Sequence, residues 1–319
     1  VWRSRSFLGL ELKDDVFKIV ELMKSGRGVR LERLVYERIP NGFISEGVVL
    51  EPKRVNELLG AAVAGEDFQT RKVHISIDSP HFQLMTKTYP AMKKRHLRRV
   101  IASDIAEKME LSIEDPWYEV ISLEKPDNQD EHSEWKVLIV VTSEAFVRSY
   151  VQLVRSSGLK PVGVDLSPLA VHRWLTYSRP ADELAEKVLI VNLSSRGAHV
   201  SVIKGNILTA SHYVPLPALS FSSGTADVKA GVRQYASHLM RSVVSTVGRD
   251  DAIGEWTLTG EGVPLADVRD RLREEMNVRI SVISGEVPVS DSLLYRPIAQ
   301  LKPGLCLPMG LALKGLIRS

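Results

Sequence analysis

The stretch LELKDDVFKIVEL, residues 10–22, has the same outline as VNLSSRGAHVSV, residues 191–202: an apolar-alternating run, a short polar break and a second apolar run. Alternation of this kind marks half-buried strands, and two such runs across a brief polar break read as a hairpin. Slid over one another at a constant offset, Leu10 falls on Val191, Leu12 on Leu193 and Ile19 on Val200. The chain therefore builds the same hairpin twice. The turns differ, one carrying Lys13, Asp14 and Asp15, the other Ser194, Ser195, Arg196 and Gly197.

Each hairpin extends into a larger unit. A third apolar run follows SGRG at 25–28, giving a meander, and Pro52 opens a helix in which Val55, Leu58, Leu59 and Ala62 share a face. The second copy repeats the order, with a turn at 204–206 and then a long amphipathic stretch aligning Val228, Val232, Tyr235, Leu239 and Val243. Between the copies lie strands at 73–77 and 84–88, a helix aligning Leu97, Ile101, Ile105 and Met109, two more strands (WYEVISLE and EWKVLIVVTS), a helix ended by Gly158, and the strand LKPVGVDLS. WTLTGEG, a helix over about 264–276, the strand VRISVI and an apolar Gly-rich tail close the chain. The expected domains are a first lobe at 1–72, an inserted subdomain at 73–165 and a shortened second lobe at 166–319.

Composition excludes several classes. With 44% hydrophobic and 25% charged residues the chain is an ordinary globular one, and +3 spread over 319 residues gives no reason to expect nucleic acid as a partner. The single cysteine, Cys306, allows no internal disulfide and suits a small buried apolar role in a reducing compartment. No run reaches the roughly 18 apolar residues of a membrane span, and the first residues lack the apolar core of a signal peptide, so the expectation is a cytoplasmic protein without a span. The eight histidines form no metal motif, and NLSSRG is not a nucleophile elbow. Bland strand roles are expected for His199 and His212, and no catalytic or metal-binding residue is assigned. GRG at 26–28 is a turn, too short for a phosphate cradle.

A duplicated meander-plus-helix unit with an insertion in the first copy resembles the actin-like, ribonuclease-H-type α/β fold. Two lobes there face each other, with the first hairpin turn of each as the jaws of a cleft. IPNGFISEGVVLEPKRVNELL at 39–59, VRSYVQLVRSSGLKPVGVDLSPLAVHR at 147–173, with Asp165 after its Gly-Leu-Lys-Pro turn, and LPMGLALKGL at 307–316 further resemble the type IV pilus assembly protein PilM family, which is related to the cell-division protein FtsA. In order and spacing these stretches span nearly the whole chain.

The resemblance implies an ATP site whose jaws carry an Asp, a Gly and hydroxyl residues, with a Gly-rich turn at the adenosine. Glycine lets backbone amides approach phosphates, and the carboxylates hold Mg²⁺. Here Glu11 stands for the Asp, Lys13 for the Gly, and Asp14 and Asp15 for hydroxyl residues; in the second jaw Asn192 replaces the Asp and Ser194 the Gly, followed by Ser195. LTGEG keeps Gly260 and Gly262 around Glu261, but the stretch from Pro217 to about Val228 is shorter than the family's and implies a reduced nucleoside pocket. Two carboxylates aimed at a triphosphate repel it by a few kcal/mol at an effective dielectric near 20, so the expectation is a degenerate site without a cofactor.

The resemblance also implies a scaffold, not an enzyme, at the cytoplasmic face of the inner membrane in a pilus, competence or secretion system. In that family a groove between the inserted subdomain and the first lobe receives an N-terminal peptide of the bitopic inner-membrane protein PilN; further platform components or a motor ATPase are possible partners. An active actin-like ATPase with Mg-ATP and the cytoplasmic domain of the secretion protein GspL are the alternatives; the second is disfavoured because no membrane helix follows LKGLIRS. KTYPAMKKRHLRR at 87–99 is a dense basic run. It is either a surface for anionic lipid or an acidic partner, or a solvated helix face, the simpler expectation.

Overall fold

The computed structural model describes residues 6–78, 81–107, 113, 115–124, 134–179, 185–194, 197–216, 225–247, 253–283, 286–293 and 302–317. Strands β1 (Ser6–Leu12), β2 (Val16–Ser25) and β3 (Gly28–Arg38) form the first meander. The small hairpin β4 (Ile44–Ser45) and β5 (Val48–Val49) leads to helix α1 (Pro52–Gly65), which buries Val55, Leu59 and Val63, and then to β6 (Lys72–Ile77). Next come β7 (Phe82–Pro90), α2 (Lys94–Glu107), β8 (Pro116–Glu124), β9 (Glu134–Ser143) and α3 (Glu144–Ser156). They are followed by β10 (Lys160–Leu166) and α4 (Ser167–Ser178).

The second meander is β11 (Lys187–Leu193), β12 (Gly197–Lys204) and β13 (Ile207–Pro215). Helix α5 (Thr225–Val247), β14 (Glu255–Gly260), α6 (Leu265–Glu275), β15 (Arg279–Val282) and the last helix α7 (Cys306–Ile317) complete the chain.

Among the described residues the strands make two five-stranded sheets, ordered β10-β6-β1-β2-β3 and β13-β12-β11-β14-β15. Each is an antiparallel meander with two parallel strands added beyond its first strand. The duplication extends to register. Leu10 lies opposite Ile19 and Glu11 opposite Lys18 in one sheet, and Val191 opposite Val200 and Asn192 opposite His199 in the other. Behind the second sheet, Val232, Tyr235, Leu239 and Val243 of α5 and Val268 and Leu272 of α6 join the apolar side chains of β11, β12 and β14 in one core.

The chain divides into two compact units, residues 80–150 and the remainder. The smaller unit has its own three-stranded sheet, β7-β9-β8, and a core in which Leu97, Ile101 and Ile105 of α2 meet Trp135, Val137, Ile139 and Val141 of β9. An insertion over 73–165 is therefore too wide: β6 and β10 belong to the first sheet, where β6 pairs in parallel with both β1 and β10. Their apolar residues are covered only when strands flank them, which sequence order does not disclose.

The apolar tail also sits elsewhere than expected. Instead of closing the second lobe, α7 packs on β1, β2 and β6 of the first sheet and against α4, which in turn touches β6, β10, β11 and β13. Helices α4 and α7 thus lie between the two sheets. Contact is close enough to require glycine: a Cβ on Gly9 would come within 1.9 Å of the Pro308 carbonyl oxygen, and one on Gly310 within 1.8 Å of that of Ala170. Gly310→Ala is therefore expected to lower the unfolding free energy by about 2–3 kcal/mol in urea titration. Gly60→Ala, in open space on α1, should instead raise it by up to about 1 kcal/mol; equal effects would refute the packing account.

Candidate functional site

The turn of the first hairpin closes tightly, the Lys13 amide donating to the Val16 carbonyl at 2.9 Å. That register sets Glu11 directly across from Lys18. Phe7, Gly9 and Glu11 alternate onto the side of β1 that meets α7, so Glu11 and Lys18 point between the lobes. Both are buried.

The Lys18 ammonium donates to two acceptors and forms an ion pair with a third group. Glu11 Oε2 lies at 3.0 Å, the Gly304 carbonyl at 2.8 Å and Glu261 Oε1 at 2.5 Å. Glu261 comes from the second lobe, just past β14, and Gly304 from the 3-10 turn Lys302–Leu305 that leads into α7. The other Glu11 oxygen pairs with Lys13 Nζ at 2.9 Å. Burial alone would raise the Glu11 pKa, but Lys13 and Lys18 outweigh it and hold the carboxyl below its ordinary range. Burial likewise opposes the charge on Lys13, and Glu11 and Glu261 overcome it, so the ammonium titrates above its ordinary value. Tyr36 borders the cluster; burial, followed by the Glu261 carboxylate, pushes its phenol up to about 12. Two lysines and two glutamates thus form a charge-balanced group across the lobes, in which Glu261 takes part by ion pairing alone.

Asp14 and Asp15 do not join this cluster, contrary to the expectation of two carboxylates aimed into the cleft. Asp14 accepts the amides of Glu46 at 2.9 Å and Gly47 at 2.8 Å, holding the tip of the β4–β5 hairpin, where both residues have positive φ. Asp15 lies 3.5 Å from Arg38 with its side chain 40% exposed.

In the second jaw, the Ser194 amide donates to the Gly197 carbonyl at 2.8 Å, and its hydroxyl accepts the Gly197 amide at 3.2 Å. The buried Tyr235 hydroxyl donates to the Ser194 carbonyl at 2.9 Å. Ser194 is thus engaged in holding its own turn; Ser195 lies outside the described residues. Asn192 is buried at the register position equivalent to Glu11. Gly260, at φ +114°, is pressed against the same hairpin, since a Cβ there would lie 2.0 Å from the Leu193 carbonyl oxygen; Gly262 has φ +78°. Thr259 donates from its hydroxyl to the Pro303 carbonyl at 2.7 Å, a second tie between β14 and the 302–305 turn. Nearby, His199 Nε2 stands 3.9 Å from Asp78, and burial pushes the Cys306 thiol pKa up. Among the described residues no group of three His, Cys, Asp or Glu side chains could hold a metal.

The family model described as type IV pilus assembly protein PilM matches residues 9–210. The chain belongs to the PilM family. Its fold is that of the actin-like proteins. A solved PilM–PilN type IV pilus biogenesis complex contains a chain 20% identical to this PilM relative, with TM-score 0.77 and 99% of each chain covered. The ethanolamine utilization protein EutJ of Carboxydothermus hydrogenoformans is 11% identical (TM-score 0.58; 98% of this chain and 90% of that one). The cytoplasmic domain of EpsL, an inner-membrane component of the Vibrio cholerae type II secretion system, is 13% identical (TM-score 0.51; 98% and 95%). Comparison with curated proteins gives no match.

Lys18 and Gly304 escape a reading of this PilM-family sequence by motif. The signal for Lys18 was present: a lysine within the apolar run VFKIV, in cross-strand register with Glu11 once the turn is placed at 13–16. Nothing local marks Gly304, an acceptor 286 residues away from Lys18.

Lys18→Met leaves Glu11 and Glu261 short of a buried cation and is expected to cost about 3–5 kcal/mol of unfolding free energy in urea. The acid limb carries a second expectation. A folded-state pKa below the unfolded value of 4.5 means that Glu11 stabilises the fold fully above that pH, and that this stabilisation is lost as pH falls through the lower folded value. Glu11→Gln should flatten the fall in melting temperature over that acidic window.

Proposed function

We propose that this PilM-family protein is a scaffold of a type IV pilus assembly platform, or of a related competence or secretion system, docking the N-terminal tail of a PilN-like inner-membrane protein. It would stand at the cytoplasmic face of that membrane, with further platform components or a motor ATPase as additional partners. Membership of the PilM family and similarity over 99% of the chain to the PilM of a PilM–PilN complex support this reading. No helix among the described residues is long and apolar enough to cross a membrane, in keeping with attachment through a partner. The peptide would bind in extended form, with backbone pairing and a few apolar anchors supplying affinity.

The proposal includes a degenerate nucleotide site, and the Lys18 cluster is the observation that carries it. A polyphosphate between the jaws needs free cationic donors and close backbone amides. Lys18 is already engaged by two acceptors and the Glu261 carboxylate, and Lys13 is tied to Glu11 while its side chain stands where glycine geometry is needed. With Glu11 and Glu261 balancing both lysines, the group offers an added anion no net positive charge to bind. Asn192 supplies no charge for a metal. The residues present do not fit Mg-ATP, and no catalytic step is assigned to them.

Calorimetric titration with Mg-ATP is expected to give no heat at millimolar nucleotide, and Glu11→Ala should lower stability with no turnover to lose. Micromolar affinity would overturn the degenerate site. A fluorescent peptide from the cytoplasmic tail of the PilN-like protein of the same organism should bind with saturable polarisation; failure to bind would overturn the scaffold reading.

A further inference from the structure

We propose that the N-terminal half of α2, with the adjoining edge of β7, is an electrostatic docking surface for anionic phospholipid headgroups. In the smaller unit, Leu97, Ile101 and Ile105 turn inward onto β9, leaving Lys94, Arg95, Arg98 and Arg99 exposed on the rest of the helix. Lys93 precedes them, exposed. Lys87, also exposed, lies two residues before the inward-facing Tyr89 and so on the same side of the sheet as α2, on the edge strand β7.

Among the described residues none of these six cations has a carboxylate partner. Elsewhere on the surface pairs form readily, as between Arg148 and Glu144 or Arg271 and Glu274. The arrangement also works against the helix that carries it. Lys94 with Arg98, and Arg95 with Arg99, are like charges one turn apart and repel. The helix macrodipole favours acids at the N-terminus and bases at the C-terminus, yet the first turn of α2 contains no acid, and Asp104 and Glu107 lie in its later half. A set of charges that weakens its own helix and finds no partner in the fold is accounted for by a partner outside it.

The chemistry of that partner follows from charge and shape. Six long cationic side chains on the convex face of one helix and its neighbouring strand, with Val100 37% exposed among them, suit a plane of negative headgroups. No groove is needed for such contact. The choice of a lipid surface over an acidic protein rests on the membrane-peripheral location proposed above; the charge pattern does not.

The test is co-sedimentation of the full chain with phosphatidylcholine vesicles, with and without phosphatidylglycerol, at low and high salt. Binding is expected only to the anionic vesicles and should fade as salt screens it. Arg95→Gln with Arg99→Gln should weaken partitioning by about thirtyfold, since each basic residue near such a surface contributes about the same increment. Lys24→Gln with Arg27→Gln, an equal charge change at an exposed turn of the larger unit, should leave it nearly unchanged. Thermal melts of the α2 variant should be equal to wild type or higher, because repulsion is relieved. Equal binding to neutral and anionic vesicles, equal loss from both variant pairs, or retention on poly-glutamate without vesicle binding would each overturn the proposal. The vesicles contain no PilN-like protein, so a failure of the tail peptide to bind and a failure of lipid binding are separate results.

Discussion

An ammonium group removed from water needs acceptors and a counter-charge, and Lys18 draws them from three separate parts of the chain. Glu11 is supplied by the neighbouring strand, Gly304 by the turn before the last helix and Glu261 by the second lobe. Each requires a different piece of folding to be complete: the register of the first hairpin, the return of the C-terminal segment, and the approach of β14. A buried cation missing any one of them carries a desolvation penalty with too little to offset it. The same pairs that satisfy the lysine therefore fix how the two lobes face each other, and Thr259 reinforces the geometry through Pro303.

The duplicated sheets solve the burial of the lobes symmetrically, but their first hairpins have diverged in charge. At matching register positions the first sheet places Glu11 against Lys18 and the second places Asn192 against His199. The ion pair needs a neighbour across the cleft to complete its coordination; the Asn and His positions bring no such obligatory charge. The second lobe contributes a carboxylate, Glu261, to that ion pair, while its own hairpin is occupied with local bonds around Ser194 and Gly197. Between the sheets, α4 and α7 approach where Gly310 and Ala170 allow backbone contact. Dispersion contacts at such distance supply what a loose interface would forfeit.

Strands and helices were legible because their periods are local. The alternation around Leu10 and Val191 yields both hairpins and their equivalence, and the spacing of Val232, Tyr235, Leu239 and Val243 yields the buried face of α5. Placement was less legible, because it depends on contacts far apart in sequence. β6 and β10 carry the same apolar pattern in a subdomain or in the first sheet. The last helix is apolar on almost every side, which marks an element covered all round, yet nothing in its residues says by which lobe. Site chemistry was legible as residue type only. Asp14 reads as an acid in a jaw, but its carboxylate is taken by backbone amides more than thirty positions away. Lys18 reads as a flaw in an apolar strand until Glu11 is set opposite it.

An actin-like cleft that works as an enzyme must open to exchange its ligand and close around it. Opening here separates Lys18 from Glu261 and exposes a group whose charges are balanced only when the lobes meet. Water can solvate the separated charges in part, but the Lys18–Glu261 attraction is lost on opening and biases the cleft toward the closed arrangement. Such a bias is a handicap for turnover. It is an advantage for a docking body, because a surface already held in one arrangement loses less conformational freedom when a partner binds. On the proposed reading, the substitutions that spoil the phosphate cradle and the ion pairs that stiffen the cleft are therefore one physical change: charges once available to a ligand are spent on holding the lobes together.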